Sequence, residues 1–124
     1  MSAILWISGP QMKAADVVGH SALTPYRVDE KNVGQAKEDA LCYLVCEDAT
    51  SWDFFREGIL TFLKKHRLEL QDLASVKGVD HAVLDVALDF PEEIAAKFVR
   101  IDNDLLSAIS ELGLDLEISL YKAE

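Results

Sequence analysis

The chain has 124 residues, half of them hydrophobic and 27% charged, and 22 acids against 12 lysines and arginines give a net charge of −10. That mix suits one globular domain, residues 1–124, and not a disordered segment. The charge argues against nucleic acid and anionic lipid as partners, because both need clustered Lys and Arg, and it leaves a basic protein, a cation or plain solubility.

The opening MSAILWISGP is apolar over a few residues and lacks a positive n-region, and no run approaches the ~18 apolar residues that span a bilayer. A cytoplasmic protein without a membrane partner is the expectation. Ala3–Ser8 reads as a strand stopped by Gly9-Pro10. Met12, Ala15 and Val18 suggest a short helix within Met12–Leu23, weakened by Gly19. Thr24–Asp39 is polar and turn-rich, the longest loop, and its Tyr26–Val28 portion can pair as a strand. Leu41–Cys46 is apolar on both faces, as a strand near the middle of a sheet is.

Thr50–His66 carries the strongest signal. Trp52, Phe55, Ile59, Phe62, Leu63 and His66 recur at helical spacing, Thr50 or Ser51 can cap the start, and Lys64, Lys65 and Arg67 suit the negative end of the dipole. Leu68–Val76 is a second short helix or a kinked extension that ends by Gly78. In His81–Phe90, Ala82, Leu84, Val86, Leu88 and Phe90 share one face of a strand, and His81, Val83, Asp85, Ala87 and Asp89 share the other. Pro91 opens a helical turn, and Lys97–Ile101 reads as briefly extended. Asn103–Leu112 is a helix capped by Asp102 or Asn103, burying Leu105, Leu106, Ile109 and Leu112 and closed by Gly113. Leu114–Tyr121 alternates as a final strand.

This order, roughly β-α-β-α-β-α-β, implies the α+β class. The expected form is a two-layer sandwich, with helices on one face of an about four-stranded, mostly antiparallel sheet. It is ferredoxin-like, or an irregular variant with an extra hairpin in Thr24–Asp39. With Leu84, Val86, Leu88, Leu114, Leu116, Ile118 and Leu120 toward the helices, the far face carries His81, Asp85, Asp89, Asp115, Glu117 and Tyr121. Trp6 and Tyr43 join it according to the register of their strands. Such a face is either solvated or a docking surface for a basic partner, its aromatics anchoring contacts within a charged surround.

No pattern supports catalysis. ISGP and VVGHSA form neither a nucleophile elbow nor a phosphate loop, and His20 beside Ser21 is a chance neighbour. His66 falls on the buried helix stripe, and Lys64-Lys65-His66-Arg67 is helix-end charge. On one strand Cys42 and Cys46 would stand about 13 Å apart, too far for a disulfide or a shared metal ion, so both read as reduced core thiols. Asp85 and Asp89 are likewise too far apart to share a proton, and no loop motif supports a Ca²⁺ or Mg²⁺ site with Asp115 or Glu117. No catalytic residue, metal or cofactor is assigned.

The closing NDLLSAISELGLDLEISLY, with Leu105, Leu106, Leu112-Gly113-Leu114, the alternating Leu116, Ile118 and Leu120, and Tyr121, resembles the ending of a bacterial domain-of-unknown-function family of small proteins. The upstream order of elements is similar as well, although Tyr26 stands where such proteins often have Trp. The resemblance implies an α+β fold in a bacterial cytosolic protein and no particular activity. The leading functional expectation is a non-enzymatic protein-binding module, resembling the small acidic immunity proteins that neutralise a basic toxin. The alternative is a small-molecule sensor or enzyme with a pocket between the Thr24–Asp39 loop and the helices. A homodimer formed through the sheet is compatible with either.

Overall fold

Strand β1 (Ser2–Gly9) buries every second residue, Ala3, Leu5, Ile7 and Gly9, and leaves Ser2, Ile4, Trp6 and Ser8 half-buried on its other side. That alternation sets the phase of the whole sheet. The structure is a computed structural model that describes residues 1–47, 51–90 and 98–122, and of Phe90 the backbone alone. After β1 come α1 (Ala14–Val18), β2 (Arg27–Asp29), β3 (Asp39–Glu47), α2 (Trp52–Lys65), α3 (Arg67–Ser75), β4 (His81–Phe90), α4 (Asn103–Glu111) and β5 (Asp115–Lys122). The helical turn expected after Pro91, Thr50 as a cap and the Lys97 end of the extended segment lie outside the described residues.

The sheet has five strands in the order β2-β3-β1-β4-β5. β1 is antiparallel to both β3 and β4, β2 is antiparallel to β3, and β5 runs parallel to β4. The class is α+β with a mixed sheet. It exceeds the expected four strands because Arg27–Asp29 pairs with Cys42, Leu41 and Ala40 as a short edge strand. The parallel pair follows from the α4 crossover, since two parallel neighbours need a long connection between them.

One apolar cluster joins the sheet to the four helices of the described residues. Ala3, Leu5 and Ile7 of β1, Leu41 and Tyr43 of β3, and Leu84, Val86 and Leu88 of β4 meet Val17 of α1, Phe55, Ile59 and Leu63 of α2, Leu70 and Leu73 of α3, and Leu105 and Ile109 of α4. Ser51 caps α2, its Oγ accepting from the Phe54 N–H at 3.3 Å. At His66 (φ −106°, ψ 23°) the chain turns from α2 into α3. Lys13 at the start of α1 offers no acceptor. Asp39, 25 residues beyond Ala14, supplies one: its Oδ2 accepts from the Ala14 N–H at 2.8 Å, and its Oδ1 accepts from the Lys31 N–H at 2.7 Å. Asp102 precedes α4 as expected, but its carboxylate turns to Arg56 of α2, which donates from Nε at 2.8 Å and from Nη2 at 2.6 Å. Gly9 and Gly78 are required where β1 leaves the sheet, because a Cβ on Gly9 would stand 2.0 Å from the Gly78 carbonyl oxygen and Gly78 itself has φ +96°.

Candidate functional site

The register assembles the face turned away from the helices. Arg27, Cys42, Trp6, Val83 and Asp115 form one row across the five strands, and Leu44, Ile4, Asp85 and Glu117 form the next. Further along, Ala87 pairs with Ser2 and Ser119, and Asp89 pairs with Tyr121. Trp6, Asp85, Asp89, Asp115, Glu117 and Tyr121 therefore share this face. Tyr43 does not. It pairs with Leu5, is 2% exposed, and belongs to the core. A strand alternates faces, so a residue between Cys42 and Leu44 points the other way.

The two cysteines also part company. Cys46 pairs with Ala3 and Leu44 pairs with Ile4, so Val45 is an extra residue, a bulge that reverses the phase of β3. Cys42 lies on the outer face and Cys46 on the helix face, beside Gly58. Burial pushes the Cys42 thiol up to about 11, so at neutral pH it is no nucleophile. Neither cysteine forms a disulfide.

Across the outer face the chemistry changes from one edge to the other. On the β2 side the Arg27 guanidinium sits 5.3 Å from the centre of the Trp6 ring and pairs with Asp29, Nη2 to Oδ2, at 2.9 Å. The middle is apolar: Ile4, Trp6, Val83 and Ala87 are half-buried, and Leu44 is 41% exposed. Most of the acids stand on β4 and β5, with Asp29 of β2 paired to Arg27 and Glu47 of β3 exposed opposite Ser2. Asp85 accepts from the Ser119 hydroxyl at 2.8 Å, and Asp89 lies 3.4 Å from the Met1 ammonium. Asp115 and Glu117 are exposed. A groove bordered by Ile4, Tyr26, Asp85, Asp89 and Tyr121 crosses the far end of the face. The expected acidic face is thus an apolar strip with an acidic border. The apolar half was missed, although a strand apolar on both sides was its signal.

Elsewhere the side chains do not converge on chemistry. Among the described residues no group of three or more His, Cys, Asp and Glu could hold a metal ion. His20 lines an open cleft with Lys13, Asp16, Asp72, Lys77 and Asp80, and no residue of 24–39 borders it. The His66 ring lies against Phe62 with centroids 4.7 Å apart and planes tilted by 54°, and its Nδ1 is 3.8 Å from a Glu69 carboxylate oxygen. Among the described residues no helix is long and apolar enough to cross a membrane.

No protein-family model, curated protein or solved structure matches the chain. The Asn103–Tyr121 segment forms α4, the turn at Gly113 and most of β5.

Proposed function

We propose that the chain is a non-enzymatic protein-binding module that docks a basic partner on the outer face of its sheet. The observation that carries this reading is the strip of Ile4, Trp6, Leu44 and Val83 bordered on one side by Asp85, Asp89, Asp115 and Glu117. Burying the strip would supply affinity, and the carboxylates would steer a cationic surface and set its orientation. The net charge of −10 extends the attraction beyond the face itself. The proposal places the protein in the bacterial cytoplasm, with a role like that of an immunity protein against a basic toxin. It also assigns the fold to the two-layer sandwiches, as an irregular ferredoxin-like variant. The support for that assignment is a single apolar cluster joining four helices to one side of the sheet.

The test is capture from lysate on the immobilised chain, with wild type beside an Asp115→Lys/Glu117→Lys variant. Both positions are exposed on an edge strand, so the variant should fold. A stoichiometric basic protein, released as salt shortens the Debye length to a few Å and lost with the variant, is the expected result. A partner held equally by the variant, or indifferent to salt, would sink the proposal.

A further inference from the structure

We infer that β5 is a self-pairing edge, and that a second copy of the chain adds its own β5 antiparallel to it. The two sheet edges differ. β2 has three residues, follows Pro25, and carries the Arg27–Asp29 ion pair, all devices that blunt an edge. β5 has eight residues with no proline and an unbroken register against β4. Among the described residues no backbone hydrogen bond reaches the side of Asp115–Tyr121 turned away from β4. On the helix face of this strand Leu116 is half-buried, while Ile118 is 45% and Leu120 68% exposed. Apolar side chains beside an uncapped row of N–H and C=O groups favour strand addition.

The sequence of β5 chooses the occupant, because it is complementary to itself in one register. A two-fold axis through Ile118 sets Ile118 against Ile118 of the second copy and Leu116 against Leu120 on both sides. On the outer face it sets Asp115 against Tyr121 and Glu117 against Ser119, so no carboxylate meets a carboxylate. An axis through Glu117 would bring two glutamates together, and one through Ser119 would set Leu116 against Lys122. The favoured register joins two five-stranded sheets into one of ten strands.

The test is sedimentation velocity across protein concentration at low and high salt. A dimer is expected that tightens as salt rises, because two chains of charge −10 repel until screened. Docking on the outer face has the opposite salt dependence, so either idea can fail without the other. Ile118→Lys places like charges on the axis and should weaken the dimer roughly tenfold or more. Ile118→Cys should oxidise to a covalent dimer, because residues facing each other on the axis have Cα atoms about 4.5–5.5 Å apart, within disulfide reach. Glu117→Cys should not, because its facing residue is Ser119. A chain monomeric at every concentration overturns the inference. So does a dimer unmoved by Ile118→Lys, or Glu117→Cys cross-linking as readily as Ile118→Cys.

Discussion

Tyr43→Phe should make the protein more stable. The Tyr43 ring is 2% exposed, and its hydroxyl, cut off from solvent, has no hydrogen-bond partner among the described residues. A buried hydroxyl without a partner costs about 1–3 kcal/mol in lost hydration, while the ring contributes its packing with or without the oxygen. Phenylalanine keeps the ring and removes the cost, less a small term for the vacated oxygen volume, so the expected gain is about 1 kcal/mol. For 124 residues, with about 2.1 cal/mol/K of unfolding entropy per residue, that is a rise in Tm of about 4 °C. Urea unfolding followed by the fluorescence of Trp6 and Trp52 gives the free energy, and calorimetry gives the Tm. The pH dependence supplies a second check. Burial raises the Tyr43 phenol above its ordinary value of 10, so the unfolded chain ionises first. Native stability then falls as pH rises above about 10, and Tyr43→Phe should reduce that fall. Because Tyr43 lies in the core, the substitution should leave partner binding unchanged. A variant less stable than wild type would refute the argument, for it would mean that the hydroxyl is hydrogen-bonded in solution.

Two further substitutions probe the packing and the ties between elements. Gly58 lies inside α2, where alanine would gain about 1 kcal/mol of helix propensity, but its Cβ would stand 2.7 Å from the Cys46 Sγ. Gly58→Ala should therefore be neutral or destabilising alone and stabilising in a Cys46→Ala background. A double-mutant cycle in urea should give a coupling of about 1 kcal/mol, and additive effects would count against the contact. Asp39→Ala should cost about 1–3 kcal/mol, chiefly by stranding the amide of buried Ala14, since the exposed Lys31 amide can turn to water. Those two hydrogen bonds hold the Asp39 carboxyl below its ordinary 3.8. Its contribution is therefore complete above that pH and is lost as pH falls through the lower native value. Wild type should lose its advantage over Asp39→Ala in acid titrations followed by circular dichroism, and a constant gap down to about pH 2 would contradict the assignment.

The elements with one dominant period are legible in the sequence. Phe55, Ile59 and Leu63 marked the buried side of α2, and Ser51 marked its start; Leu84, Val86 and Leu88 gave the phase of β4. The same alternation placed Asp85, Asp89, Asp115 and Glu117 together, because β4 and β5 are regular and lie side by side. β3 was illegible in phase: Leu41-Cys42-Tyr43-Leu44-Val45-Cys46 is apolar at every position, so nothing local says which side Tyr43 faces, and the Val45 bulge breaks the phase again. Asp102 was read as a helix cap because caps are local. Its partner Arg56 is 46 residues away and visible only in three dimensions. The apolar middle of the outer face is of the same kind, made by strands that are neighbours in space and not in sequence.

β1 precedes both of its neighbours in the chain yet occupies the centre of the sheet, between residues 39–47 and 81–90. During synthesis its Ala-Ile-Leu-Trp-Ile run leaves the ribosome with no strand to pair with, gains one partner with β3, and gains the second only when β4 has been made. Most of the contacts that close the sheet are thus distant in sequence, which slows folding and keeps a sticky hydrophobic segment waiting. The interval before Phe90 emerges is when this protein is most exposed to aggregation and has most use for a chaperone.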